Sequence, residues 1–165
     1  MEQLWAPWRM AYVADPDAKT RPPTPGECFL CRGVSETDDR ANLVAHRSEL
    51  SVVVLNRYPY NNGHLLVAPR AHKARLDELN SDELLDLQLV LRKMLAVMEK
   101  RMNPDGFNVG LNLGKAAGAG LPGHLHWHIV PRWNGDTNFM PVFADTRVIV
   151  QSLDALYDLL REELA

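Results

Sequence analysis

The sequence predicts an α+β domain built on a mostly antiparallel sheet. Three observations carry that expectation. Short apolar runs bounded by turn residues fall into two groups, residues 42–69 and 106–130. One long stretch of helical period separates the groups, and a second helical stretch closes the chain.

In chain order, residues 1–27 form an aromatic N-terminal arm and a polar segment, Asp15 to Glu27, whose Pro16, Pro22, Pro23 and Pro25 predict an extended loop. Asn42–His46 and Ser51–Asn56 read as paired strands around Arg47, Ser48 and Glu49. His64–Pro69 gives a third strand after the turn residues Asn61, Asn62 and Gly63. From Asn80 to Met102, Leu84, Leu87, Leu91, Met94, Leu95 and Met98 recur at spacings of three and four, the period of an amphipathic helix. Asn80 and Glu83 form a capping-box pattern, and Asn103 with Pro104 ends the helix. Such a helix is about 30 Å long, enough to cross a small sheet. Gly106–Leu113 and Leu125–Val130 supply two further strands on either side of a glycine-rich loop, and Ser152–Leu164 reads as the closing helix.

Length and charge narrow the function classes. At about 150 residues per domain, 165 residues predict a single domain. Such a chain buries about two-thirds of its unfolded surface and needs no disulfide staples. The formal charge of −3 excludes a protein that holds nucleic acid through a basic field. Met1 to Met10 carries Glu2 and Arg9 and lacks the apolar run of a signal peptide, and no stretch approaches the ~20 apolar residues of a membrane span. A cytoplasmic, reducing location with no membrane partner is therefore expected. There, two close cysteines predict a metal or redox pair rather than a structural disulfide.

The segment His124-Leu125-His126-Trp127-His128-Ile129-Val130 alternates imidazole with apolar side chains. In a strand the three imidazoles share one face while Leu125, Trp127 and Ile129 enter the core. The outer two then stand about 13 Å apart along the strand, whereas a zinc–nitrogen bond is about 2 Å. One metal cannot collect all three, so at least one imidazole is left for proton transfer or nucleophilic attack on phosphorus. Just upstream, Gly114-Lys115-Ala116-Ala117-Gly118-Ala119-Gly120 is a loop of small residues whose amides suit the approach of an anion. Cys28-Phe29-Leu30-Cys31 has the two-residue gap that suits one tetrahedral zinc or a redox pair. Spacing alone leaves both open.

These residues resemble a known family. His124 to Val130, followed by Pro131 and Arg132, resembles the signature of the histidine triad (HIT) nucleotide hydrolases and transferases, and the likeness extends over about residues 28–132. Asn56 and the run Asn62-Gly63-His64-Leu65-Leu66-Val67-Ala68-Pro69-Arg70 are similar to the family's nucleotide-binding strand pair, and Asn108 to Gly114 to its phosphate-facing strand. Leu4 to Met10 and Trp133 to Phe139 resemble the branch containing microbial diadenosine tetraphosphate hydrolases and phosphorylases.

The resemblance implies a HIT-like five-stranded fold in one domain, residues 1–165, with a core over 28–132 and a C-terminal extension over 133–165 that carries the last helix. It implies an enzyme that cleaves dinucleoside polyphosphates at the α-phosphorus through a nucleotidyl-histidine intermediate. His126 would be the nucleophile, and His128 and His64 its catalytic neighbours. Asn56 would lie by the ribose. Asn112, Gly118, Ala119, Gly120 and His128 would face the phosphates. Cys28, Cys31, His72 and His124 would hold a closed, structural zinc, and substrate would arrive as a magnesium complex. A homodimer is expected, with the Asn80–Met102 helix in its interface. Alternatives are phosphorolysis in place of hydrolysis, a nucleoside phosphoramidase, or a non-catalytic zinc-stabilised nucleotide-binding module. Where many relatives place Gln, Ser or Thr before the triad, this chain has Ala119, Gly120, Leu121, Pro122 and Gly123, which leaves the acid for the leaving group unassigned. His46 has no transferable role and reads as a surface histidine at a strand end.

Overall fold

A computed structural model describes residues 28–137, 149 and 151–164. The aromatic arm and the proline-rich loop lie outside the described residues, as does the end of the Trp133–Phe139 motif. Five strands form one sheet: β1 (Val44–Arg47), β2 (Ser51–Leu55), β3 (Leu65–Pro69), β4 (Gly106–Leu111) and β5 (Trp127–Arg132), in the order β1-β2-β3-β5-β4. Every pairing is antiparallel. Among the described residues, three α-helices accompany the sheet: α1 (Phe29–Ser35), α2 (Ser81–Met102) and α3 (Leu153–Leu164). None of the described helices is long and apolar enough to cross a membrane.

The sheet has two differently used faces. Val53, Leu55, Leu65, Val67, Leu125, Trp127 and Ile129 pack with Leu87, Leu91, Met94 and Met98 of α2 and Leu156, Tyr157 and Leu160 of α3. Val44, Val52, Val54 and Ala68 point the other way and pack with Cys28 and Leu30 at α1. The strand period of two sends neighbouring residues to opposite sides, so both helices with apolar stripes settle on one face and leave the other to α1 and loops.

Helix α2 starts and stops where its caps predict. The Asn80 side chain accepts from the Glu83 amide at 2.9 Å, and Glu83 accepts from the Asn80 amide at 2.8 Å. Asn103 adopts the left-handed conformation that closes the helix. The buried stripe differs from the sequence expectation in detail. Leu84 is exposed, while Val90 and Val97 are buried, because the docked face is turned toward them.

Strand β1 starts at Val44 rather than Asn42 and β4 ends at Leu111 rather than Leu113, and two further elements depart from expectation. Helix α1 was not expected, since seven residues with two buried positions show too little period to read. Strand β5 begins at Trp127 rather than Leu125. The Leu125 amide donates instead to the Lys73 carbonyl at 2.6 Å, so the first part of the histidine segment is held by the loop after β3.

Candidate active site and metal centre

That loop contact places His124 beside a cluster of sulfur and nitrogen donors. Cys28 caps α1 and Cys31 follows one turn later, which puts both thiols on one side of the helix start. The His124 Nδ1 lies 3.3 Å from Cys28 Sγ and 3.5 Å from Cys31 Sγ, and the His72 Nδ1 lies 3.1 Å from Cys31 Sγ. All four donor atoms sit within 4.8 Å of one another. A tetrahedral zinc with Zn–S of about 2.3 Å and Zn–N of about 2.0 Å separates its ligands by roughly 3.6 Å, so this set fits. The Pro69 carbonyl, which can only accept, takes the His124 Nε2–H at 2.8 Å and leaves the Nδ1 lone pair facing the thiols. Burial holds His124 down at about 4 and pushes the Cys31 thiol up to about 11. Neutral imidazoles and thiols that lose their protons on coordination are the donor set zinc takes.

His126, two residues on, is 7% exposed. Its Nδ1 lies 2.7 Å from the His124 carbonyl oxygen. A carbonyl accepts only, so the proton sits on Nδ1 and the Nε2 lone pair is directed away. Burial keeps the pKa of His126 below the usual 6.5. A buried, neutral imidazole with one lone pair fixed in direction is equipped for nucleophilic attack.

His64, at the turn before β3, is 1% exposed. Its Nε2 lies 2.8 Å from the His128 Nδ1, and the rings of His126 and His128 are 5.1 Å apart. The structure thus brings His64, His126 and His128 together, and Asn112 joins them with its amide 3.4 Å from the His128 Nε2. Asn56, which the family resemblance puts by the ribose, has its amide nitrogen 3.1 Å from the His64 Nδ1.

The glycine-rich loop behaves differently from its sequence reading. The Gly118 amide donates to the Lys115 carbonyl and the Ala119 amide to the Gly114 carbonyl, so both turn back on their own loop. Ala119 is buried and Gly120 exposed. His46 is half-buried rather than a surface residue, with its Nε2 3.3 Å from Lys93 Nζ of α2, and it takes no part in the site.

Sequence reasoning missed Tyr60, whose ring lies 4.5 Å from that of His64 and stacks on His128 at 5.6 Å and 19°. It also missed an open cleft of about 400 Å³ against His128, walled by Tyr60, Phe107, Val109, Leu111 and Val130. An available signal was the aromatic pair of Tyr58 and Tyr60 four to six residues before His64.

A family model described as HIT domain matches residues 38–135. The chain belongs to the HIT domain family. This HIT protein is 40% identical over 168 residues to a protein of Mycobacterium tuberculosis named AP-4-A phosphorylase, across 100% of this chain and 85% of that one. It is 39% identical over 93 residues to the asymmetrical bis(5'-nucleosyl)-tetraphosphatase of Schizosaccharomyces pombe, across 56% of this chain and 50% of that one. Among solved structures, a zinc-bound histidine triad family protein from Mycobacterium smegmatis matches this HIT protein with a TM-score of 0.67 and 26% identity, over 86% of this chain and 95% of that chain.

Proposed function

We propose that this HIT protein cleaves dinucleoside polyphosphates by transferring a nucleotidyl group to His126. The observation that carries the reading is the bond from the His126 Nδ1–H to the His124 carbonyl at 2.7 Å, which leaves Nε2 as the attacking atom. Nε2 forms a bond to the α-phosphorus while the bond from that phosphorus to the bridging oxygen breaks, and the leaving nucleotide takes the electron pair. An acceptor oxygen then attacks the same phosphorus, the P–N bond breaks, and neutral His126 returns. The positive charge that the ring gains in the intermediate is met by the carbonyl at Nδ1. His128 and Asn112 face the phosphate oxygens, and the cleft beside β4 receives the substrate.

The M. tuberculosis relative's name favours inorganic phosphate over water as the acceptor. Diadenosine tetraphosphate is the test substrate. Phosphorolysis yields ADP and ATP, whereas hydrolysis yields AMP and ATP. Incubation with α-labelled substrate followed by a base quench is expected to leave an acid-labile label on the protein. No label and no turnover would overturn the reading.

The same proposal assigns zinc to Cys28, Cys31, His72 and His124. Four protein ligands leave no open position, so the ion's contribution is structural: it ties α1 and the loop after β3 to the residue whose carbonyl holds His126. The single domain over 1–165, with its core at 28–132, belongs to this reading, as does a homodimer. The outward face of α2 carries Leu85 at 60% and Leu89 at 43% exposure. Light scattering tests the dimer.

A further inference from the structure

We infer that Gly110 and Asn108 of β4 form the subsite for the nucleoside of the leaving nucleotide. Its base lies flat on the backbone at Gly110 and takes a hydrogen bond from Asn108 Nδ2. The direction of the substrate rests on the proposed nucleotidyl transfer to His126, whereas the subsite rests on the geometry of β4.

Strand β4 pairs with β5 so that Gly110 lies beside His128 and Asn108 beside Val130. Residues two apart in a strand share a face. Phe107 and Leu111 pack toward the helices, so Asn108, Gly110 and Asn112 line up on the other side. The Asn112 amide nitrogen, 3.4 Å from the His128 Nε2, marks it as the side of the histidines. Asn108, Gly110, Asn112, His128 and Val130 all line the cleft.

A glycine in the interior of a strand weakens it and marks places where a ligand or another backbone comes close. Gly110 is not required by its backbone conformation, since the positive φ values among the described glycines belong to Gly63, Gly114, Gly118 and Gly135. Nor does another part of the protein occupy the space, because a Cβ at Gly110 would meet nothing within 4 Å. The missing side chain leaves a bare patch of peptide between two asparagines, open to a flat group.

Asn108 is held in one orientation. Arg132 Nη1, which can only donate, binds its Oδ1 at 2.9 Å, and Arg132 is itself fixed by Asp136 through Nε at 2.6 Å and Nη2 at 3.0 Å. The Asn108 Nδ2 meets no partner among the described residues, and its N–H groups are available to a base nitrogen or carbonyl. The chemistry of this end favours a base over a phosphate. The Arg132 charge is already met by the Asp136 carboxylate, and Tyr60 and Val130 add apolar wall. Asn108 also stands about 13 Å along the strand from Asn112, beyond the phosphates that the proposed reaction puts at Asn112 and His128. The ribose of the transferred nucleotide is expected at Asn56, which contacts His64 at the start of β3. Because β5 separates β3 from β4, the leaving half runs toward β4.

The test is calorimetry in a His126→Ala background, where the probes are not consumed. One probe is diadenosine tetraphosphate; the other is adenosine 5'-tetraphosphate, which has the same phosphate chain and lacks the second nucleoside. Gly110→Val fills the bare patch, and Asn108→Leu removes the donor at similar volume. Each is expected to weaken diadenosine tetraphosphate about tenfold and to leave adenosine 5'-tetraphosphate within about twofold. Valine suits a strand with open space around it, so Gly110→Val should melt no lower than its parent, and its lost affinity is not lost fold. Equal weakening of both probes would put these residues on the phosphate chain or the transferred half and overturn the inference, as would full affinity for the dinucleotide in either variant. A protein that binds neither probe overturns this inference and the proposed function together. The expected selectivity in a chain that, with His126 intact, does not cleave the dinucleotide fails the proposed function alone.

Discussion

The carbonyl oxygen of His124 accepts a 2.7 Å hydrogen bond from Nδ1 of His126. One residue therefore faces the thiols with its side chain and fixes the His126 ring with its backbone. His126→Ala is expected to reduce turnover of diadenosine tetraphosphate by about 10⁴-fold or more, since it removes the proposed nucleophile. Substrate binding, read by calorimetry, should persist, and the labelled adduct should disappear. Near wild-type turnover would exclude His126 as the attacking group.

The donor cluster predicts about one zinc per chain, measurable by native mass spectrometry. Cys28 is fully buried, so Cys28→Ser both weakens the ligand set and leaves a buried hydroxyl. A loss of about 2 kcal/mol or more is expected, or roughly 4–8 °C in Tm for a chain of this size. If purified protein holds no metal and the variant melts like the parent, the four residues do not form a zinc site.

Gly63, immediately before His64, has φ of +77°, and a Cβ there would lie 2.8 Å from Met102 Cε and 2.9 Å from Pro131 Cγ. Both the backbone and the space oppose a side chain. Gly63→Ala is expected to cost about 1–3 kcal/mol and to displace His64, so kcat should fall even where the protein remains folded. Thermal melts and steady-state rates measured together check this.

Asp136 ties the chain after β5 to the turn before His64. It accepts from Arg132 Nε at 2.6 Å and Nη2 at 3.0 Å and from Asn61 Nδ2 at 2.8 Å. The Arg132 guanidinium holds its carboxyl down at about 2. A carboxyl depressed on folding stabilises above its unfolded pKa and stops doing so as the pH falls through its folded one. Asp136→Ala should therefore cost about 1–2 kcal/mol at pH 7, the Arg132 side chain being 47% exposed to water and Asp136 only 9%. In urea titrations the gap between variant and parent should narrow from about pH 4 toward pH 2. A gap that does not change with pH would mean that the carboxylate charge is not what matters.

The long helix was readable in the sequence because its signals are local. Asn80, Glu83 and Asn103 specify its ends within a few residues of themselves. The histidine alternation likewise reports on one strand, and the apolar partners Leu125, Trp127 and Ile129 do face the helices. What escaped reading depends on distant chain segments. Leu125 leaves strand pairing because Lys73, far back in the sequence, offers its carbonyl. The Nδ1 of His64 is met by the Tyr60 amide through a turn whose geometry no period reveals. The amides of Gly118 and Ala119 looked available for an anion in a string of small residues, yet the loop's own short helical turn consumes them.

The two-faced use of β5 also limits how this chain can change in length. Trp127 and Ile129 anchor the helix-bearing face, and His126, just before the strand, and His128 within it alternate with them. Gaining or losing a single residue within this segment would push the imidazoles beneath α2 and turn the large apolar groups toward the cleft. Insertions and deletions of one residue are thus barred from the triad, because fold and chemistry would fail in the same event. Length variation among viable descendants should instead collect in the exposed loop between β4 and His124, where no such alternation has to be kept.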